Sequence, residues 1–265
     1  MKAALIQLDV DLAQDRSEAR KAAVQKVYEA ARGGAELVVL PELWLHGGFD
    51  PKPWPEAAED VHGETAQLFA EAAVDCGITV HAGSIVERAE DGLLFNTSLV
   101  FDPQGAPLAG YRKIHRFGFD KGEAAVMSAG EEIAVFPLCA ADGSVITTVG
   151  LATCYDLRFP EMYRRLMDHG AETILTVAAW PARRREHWRT LLRARAIENQ
   201  TFVLACAAAG TQADLEMSGH SMAVDPWGEI LAEGGDGEQI VYVDFDPAVV
   251  ATTRERFPVL KDRRL

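Results

Sequence analysis

The 265-residue sequence predicts an α/β fold of two sheets packed face to face, with helices outside and two pseudo-twofold halves. Three observations predict it. Short apolar runs of strand type alternate with amphipathic helical patterns. The same rhythm runs twice along the chain, with no low-complexity linker between the halves, so residues 1–265 read as a single domain. One segment is echoed: LVFDPQGAPLAG (Leu99–Gly110) and MAVDPWGEILAE (Met222–Glu233) share D-P-x-G followed by Leu-Ala. Each reads as a strand, a turn opened by Asp-Pro and closed by Gly, and a second strand. The pair is either two ordinary hairpins or the mark of a duplicated half.

The elements follow in order. Lys2–Leu8 is a strand, and the opening Met1–Val10 is too short and too soon interrupted to read as a signal peptide. Ser17–Arg32 is helical, with Val24, Val27, Tyr28 and Ala31 on one stripe and Gly33-Gly34 as its stop. Glu36–Leu40 is a buried-type strand. A loop carrying Pro51, Pro53 and Pro55 leads to a helix over Glu64–Cys76, with Gly77 as its cap. Ile78–Ile85 and Leu93–Phe101 are strands. The second half gives a strand at Val145–Thr153, a helix at Pro160–His169, a strand at Thr173–Ala179 and a helix at Arg184–Glu198. Strands at Thr201–Ala208, Ser218–Val224 and Gln239–Phe245 close it.

Composition narrows the function. Hydrophobic residues make up 48% and charged residues 25%, a globular balance. The net charge of -14 disfavours nucleic acid and anionic membrane, which need a positive face. No apolar run approaches the ~20 residues of a membrane span. Cys76, Cys139, Cys154 and Cys206 form no C-x-x-C pair, which implies reduced thiols and a cytoplasmic location. The seven histidines are scattered without metal-pair spacing, and no phosphate-binding glycine loop occurs; no metal or cofactor is expected. His187, at the start of a helical run, reads as structural.

Three segments could carry chemistry. Cys154 ends an apolar strand in GLATCYDLRFPE, with a helix starting near Pro160. Such a junction is where open α/β sheets place sites, and helix N–H groups there lower a thiol's pKa. A cysteine at a strand end can equally be core filling. Glu42 ends LVVLPE, directly after an apolar run. Desolvation there raises a carboxyl's pKa towards that of a usable base; a loop glutamate can also simply face water. Lys113, in GYRKIHRFG, is either a solvated strand end or a fixed cation for a thiolate and an oxyanion. Glu123, in DKGE, says nothing by itself.

Taken together and in order, L-P-E, Y-R-K-I-H and T-C-Y-D-L-R-F-P-E resemble the nitrilase superfamily of carbon–nitrogen hydrolases. The resemblance runs almost end to end, through H-W-x-x-L-L-x-A-R-A-I-E-N-Q (His187–Gln200) and the D-P-W-G hairpin. It implies a four-layer α-β-β-α sandwich with mixed sheets, a homodimer through the sheet-covering helices, and no metal or organic cofactor. It implies Glu42 as general base, Lys113 as oxyanion stabiliser, Cys154 as nucleophile and Glu123 as a supporting glutamate. The backbone N–H of Tyr155 would complete the oxyanion site. C-Y-D-L-R-F-P, W-P-A-R and Glu255-Arg-Phe-Pro258 look most like the omega-amidase branch, whose substrates are 2-oxo acid amides such as 2-oxoglutaramate. Arg116–Glu123 departs from that branch's pattern. Relatives act on deaminated glutathione, N-carbamoyl amines or aliphatic amides, and a non-catalytic binding protein is the reading from another class.

Substrate contacts are less constrained. Arg183, Arg184, Arg185, Arg189, Arg193 and Arg195 crowd one region of an acidic chain and Arg158 follows the nucleophile by four residues. Arginine suits bidentate carboxylate recognition, but a solvated helix face or a salt-bridge set fits the six as well. Arg158 either contacts substrate or is buried in structure. Trp180 either walls the pocket or fills core.

Overall fold

The computed structural model describes residues 1–140 and 142–264. The strands are β1 (Lys2–Gln7), β2 (Leu37–Val39), β3 (Thr79–Arg88), β4 (Leu94–Phe101), β5 (Pro107–Arg112), β6 (Val135–Cys139), β7 (Val145–Thr153), β8 (Thr173–Ala178), β9 (Phe202–Ala207), β10 (Thr211–Gln212), β11 (Leu215–Glu216), β12 (Met222–Val224), β13 (Ile230–Glu233) and β14 (Gln239–Asp244). The α-helices are α1 (Arg16–Arg32), α2 (Trp54–Ala57), α3 (Glu64–Cys76), α4 (Glu123–Val126), α5 (Pro160–Asp168), α6 (Arg185–Asn199) and α7 (Ala248–Arg256). Short 3-10 turns cover Cys154–Arg158, Ala182–Arg184 and Val259–Asp262.

Two six-stranded sheets run in the orders β14-β1-β2-β3-β4-β5 and β6-β7-β8-β9-β12-β13. Each has one antiparallel edge strand, three parallel strands, and an antiparallel hairpin at the other edge. The layers follow from alternation along the strands. In β1 and β2, Ala3, Leu5, Leu37 and Val39 pack in one core with Val149, Leu151 and Leu204 of the second sheet. Ala4, Ile6 and Val38 point the other way, onto Val24 and Val27 of α1 and Phe69 of α3. On the far side, Tyr163 and Leu166 of α5 and Trp188 and Leu192 of α6 cover the second sheet. The result is helix, sheet, sheet, helix.

The echoed segments are equivalent hairpins, β4–β5 and β12–β13. Asp102 Oδ1 accepts from the N–H groups of Gln104 and Ala106; Asp225 Oδ1 accepts from those of Trp227 and Glu229. Gly105 and Gly228 close the turns at φ 76° and 84°, where glycine is favoured. The duplicated-half reading therefore holds. Boundaries moved where tertiary pairing decides them: β2 has three residues, β12 begins only at Met222, and β3 runs on to Arg88. β6 and α7 were not legible, because neither carries a clear apolar period.

Two features hold the loop after β2. β3 bulges between His81 and Ser84, and Gly83 sits there at φ 71°. A Cβ on Gly83 would lie 2.1 Å from Pro41 O. Gly83→Ala should therefore cost more than about 2 kcal/mol and disturb the Glu42 loop; urea unfolding would measure it, and an unchanged midpoint would refute this account. His46 in that loop and His81 beneath it are held neutral, burial pushing both down to about 4. Both sit below the ordinary 6.5, so their contribution is complete above that pH and is lost as pH falls towards 4. Each displacement corresponds to on the order of 3 kcal/mol. The urea midpoint should drop between pH 7 and 4, with a shallower slope in His81→Asn.

Candidate active site

Glu42 lies three residues beyond β2. Its loop is fixed by Leu43 N–H donating to Ser84 Oγ at 3.0 Å and Trp44 Nε1–H donating to Ala82 O at 2.9 Å. The carboxylate is buried and almost fully used. Oε1 accepts from Lys113 Nζ at 2.7 Å and Asn96 Nδ2 at 2.8 Å, and Oε2 accepts from Ala179 N at 2.8 Å. Lys113 follows β5 and is only 2% exposed. Its backbone is tied to Asn96 O and to Gly130 N, so the side chain is delivered into the interior. Nζ also donates to Glu123 Oε2 at 2.8 Å. Glu123 opens α4, with Oε1 accepting from Asn96 at 2.9 Å and Oε2 from Phe117 N at 2.8 Å.

Cys154 comes from the other sheet. It follows β7 directly at φ 48°, a left-handed conformation unusual for a non-glycine residue, and opens the 3-10 turn. Asp156 holds that turn. Its Oδ2 accepts from Thr153 N at 2.9 Å and Tyr111 OH at 2.7 Å, and its Oδ1 lies 2.8 Å from His115 Nδ1. Arg195 braces the far side by donating to Leu157 O through Nε and Nη2. The Cys154 thiol faces Ala179 O at 3.6 Å. Glu42, Lys113, Glu123 and Cys154 line one pocket.

The charges decide the resting state. Burial works against the Lys113 ammonium, but Glu123 and Glu42 outweigh it and hold its pKa well above the ordinary lysine value. Burial raises the Glu123 carboxyl, the Lys113 charge opposes it, and the Glu42 charge adds to the rise. Burial pushes the Cys154 thiol well up, the Glu42 carboxylate pushes it further, and Lys113 only partly opposes them. This corrects the expectation of a thiol lowered by helix N–H groups. The turn after Cys154 is a single 3-10 stretch with little dipole, whereas a desolvated site with a carboxylate alongside favours the neutral S–H.

The sequence-predicted contacts lie at the pocket mouth. Tyr155 is half-buried, edge-on to Phe117 and Phe159 with centroids 5.3 Å away in both cases. Trp180 lines the pocket and also packs on Trp188 at 5.5 Å. The Arg158 guanidinium lies 4.8 Å from the Trp180 ring centroid, and its Nη2 is 3.3 Å from Nδ1 of the exposed His187. Most of the arginine cluster is structural. Arg185 pairs with Asp236, Arg189 with Glu233, Arg195 with Glu198, and Arg193 donates to Gly228 O. Arg184 alone among the six lines the pocket. Sequence reasoning passed over Asn96 and Asp156. The signal for Asn96 is a carboxamide within the wholly buried strand LFNTSLVF; Asp156 has none beyond its nearness to Cys154. No group of three or more His, Cys, Asp or Glu side chains that could hold a metal ion occurs among the described residues. No helix among them is long and apolar enough to cross a membrane.

The family model described as carbon-nitrogen hydrolase matches residues 2–255. A 2-oxoglutaramate amidase of Paenarthrobacter nicotinovorans is 41% identical over 268 residues, covering 97% of this chain and 90% of the relative. The crystal structure of Nit3 of Saccharomyces cerevisiae, a member of branch 10 of the nitrilase superfamily, superposes with TM-score 0.88 at 29% identity, covering 100% of this chain and 97% of Nit3. A glutamate-to-leucine mutant of an amidase from Nesterenkonia sp. AN1 carries the acetamide moiety of fluoroacetamide on its active-site cysteine. That structure has TM-score 0.83 and 25% identity, covering 99% of this chain and 97% of the amidase. With its two mixed sheets and the match over residues 2–255, this chain belongs to the carbon-nitrogen hydrolase family.

Proposed function

We propose that this protein is an omega-amidase, hydrolysing the terminal amide of a small 2-oxo acid such as 2-oxoglutaramate through a thioester on Cys154. One observation carries the chemistry: a buried thiol shares a pocket with the ion pair of Glu42 and Lys113. The 41% identity to a 2-oxoglutaramate amidase supports the substrate class.

The steps follow from the proton inventory. Glu42 takes the thiol proton as Cys154 Sγ bonds to the amide carbon. The carbonyl π electrons move onto oxygen. Lys113 has three N–H donors; Glu42 and Glu123 occupy two, and the third serves the oxyanion. The N–H of Tyr155, at the start of the 3-10 turn, is the second donor. The intermediate collapses, the C–N bond breaks, and the leaving nitrogen takes the proton from Glu42 as ammonia departs. Water then gives a proton to Glu42 while its oxygen attacks the thioester, and the departing sulfur recovers that proton. Every step is a proton or acyl transfer among this chain's own groups, the amide and water. Arg158 and Trp180 contact the substrate's carboxylate end. Four unpaired cysteines accord with a cytoplasmic enzyme.

Ammonia release from 2-oxoglutaramate, succinamate, deaminated glutathione, N-carbamoylputrescine and propionamide tests the assignment. Wild type should turn over 2-oxoglutaramate fastest and Cys154→Ala none of them. Glu42→Gln should lose about 10²–10⁴-fold in kcat and Lys113→Gln about 10²–10³-fold. Turnover of another amide alone would move the substrate, and activity surviving in Cys154→Ala would end the mechanism.

We also propose a homodimer through the face of α6. Ile197 on α6 is 48% exposed and adjoins the turn of Trp227, 44% exposed. Trp227 stacks on Phe257, 52% exposed, at 5.9 Å. An apolar group of this kind at an outer helix fits a subunit contact. Light scattering should give twice the chain mass for wild type and the chain mass for the Trp227→Glu, Phe257→Asp double variant; a monomeric wild type would overturn the proposal.

A further inference from the structure

We infer that Arg184 is a second carboxylate-binding residue of the pocket, pairing with Arg158 to select amides whose far end is anionic. The inference rests on the amidase reading of the same pocket.

The geometry is built around Trp180. The Arg158 guanidinium lies over its ring face. The indole Nε1–H donates to Arg184 O at 2.8 Å, and Arg184 N donates to Pro181 O at 2.9 Å, so the backbone carrying the second guanidinium is fixed to Trp180 and its neighbour. The Arg184 guanidinium lies 5.4 Å from the centroid of Phe117. A guanidinium laid on an aromatic face keeps its in-plane N–H edge free for a carboxylate. Phe117 in turn donates its N–H to Glu123 Oε2, which joins this platform to the catalytic cluster. Both arginines line the pocket that holds Cys154.

Charge separates these two arginines from their neighbours. Arg185, Arg189 and Arg195 each have a carboxylate partner. Among the described residues, neither Arg158 nor Arg184 has a carboxylate within 4.0 Å, and burial together with the positive charges of Arg183 and Arg158 disfavours the Arg184 cation. An anion from outside relieves that repulsion. The ligand that fits carries an amide for Cys154 at one end and a carboxylate at the other. Neutral aliphatic amides leave the two cations uncompensated.

The test compares Arg184→Gln, Arg184→Lys and, as an outside control at the exposed end of α1, Arg32→Gln with wild type. The ratio of kcat/KM for 2-oxoglutaramate to that for propionamide should fall about 30-fold in Arg184→Gln, mostly through KM, and recover partly in Arg184→Lys. Calorimetry with glutarate, a dicarboxylate that needs no turnover, should show Kd rising about tenfold in Arg184→Gln and unchanged in Arg32→Gln. A ratio near that of wild type, or an unaltered glutarate Kd, overturns the inference. A wild type that releases ammonia from no amide overturns the amidase reading instead, and glutarate binding then still decides whether Arg184 holds a carboxylate.

Discussion

The buried ammonium of Lys113 is the constraint to which the rest of the site answers. An isolated charge inside a protein costs several kcal/mol, and removing one partner of a buried pair costs about 3–5 kcal/mol. Lys113 is tolerated because Glu42 and Glu123 meet it at 2.7 and 2.8 Å and Asn96 donates to both carboxylates. These groups come from four places: the loop after β2, β4, the end of β5 and the start of α4. The remaining oxygen of Glu42 is held by Ala179 N, just beyond β8 in the opposite sheet. The ion cluster therefore sets the sheets against each other, and Cys154 is delivered to it by the strand next to β8.

That cluster also bears on the protonation of the Cys154 thiol. A depressed thiol would stand as a thiolate beside two glutamates, adding a third negative charge to a site with one ammonium. Burial and Glu42 instead keep Cys154 neutral. In the mechanism we propose, the thiolate forms only as the amide carbon accepts it, and the negative charge passes to an oxygen facing Lys113. Electrostatic preorganisation of this kind spends little on reorganisation during the reaction.

Much of this was legible in the sequence, for identifiable reasons. The parallel core strands β1, β7, β8 and β9 announce themselves as apolar runs because both of their faces are buried. Glu42, Lys113 and Cys154 stand out only as an ordered set, since each alone has an ordinary structural explanation. Asn96 and Asp156 were missed because their importance lies in what they touch: two carboxylates in one case, the turn after the nucleophile in the other. The arginine cluster shows the opposite limit. Six arginines close in sequence project around one helix and the turn before it, so their partners differ and only Arg184 reaches the pocket.

The duplicated architecture raises the question of why there is one such site. Topology pairs β7 with β1, and β5 with β13. Cys154 immediately follows β7, and its counterpart after β1 is Leu8; Lys113 immediately follows β5, and its counterpart after β13 is Gly234. The second half-site thus lacks both the thiol and the ammonium. Next to Leu8, the buried amide of Gln7 donates to Gly235 O and Gly237 O and accepts from Ser221 N. A neutral amide with three satisfied hydrogen bonds stitches the ends of the sheets together there without a buried charge to compensate. The duplication supplies two equivalent frames, and only one of them carries the costly ion cluster.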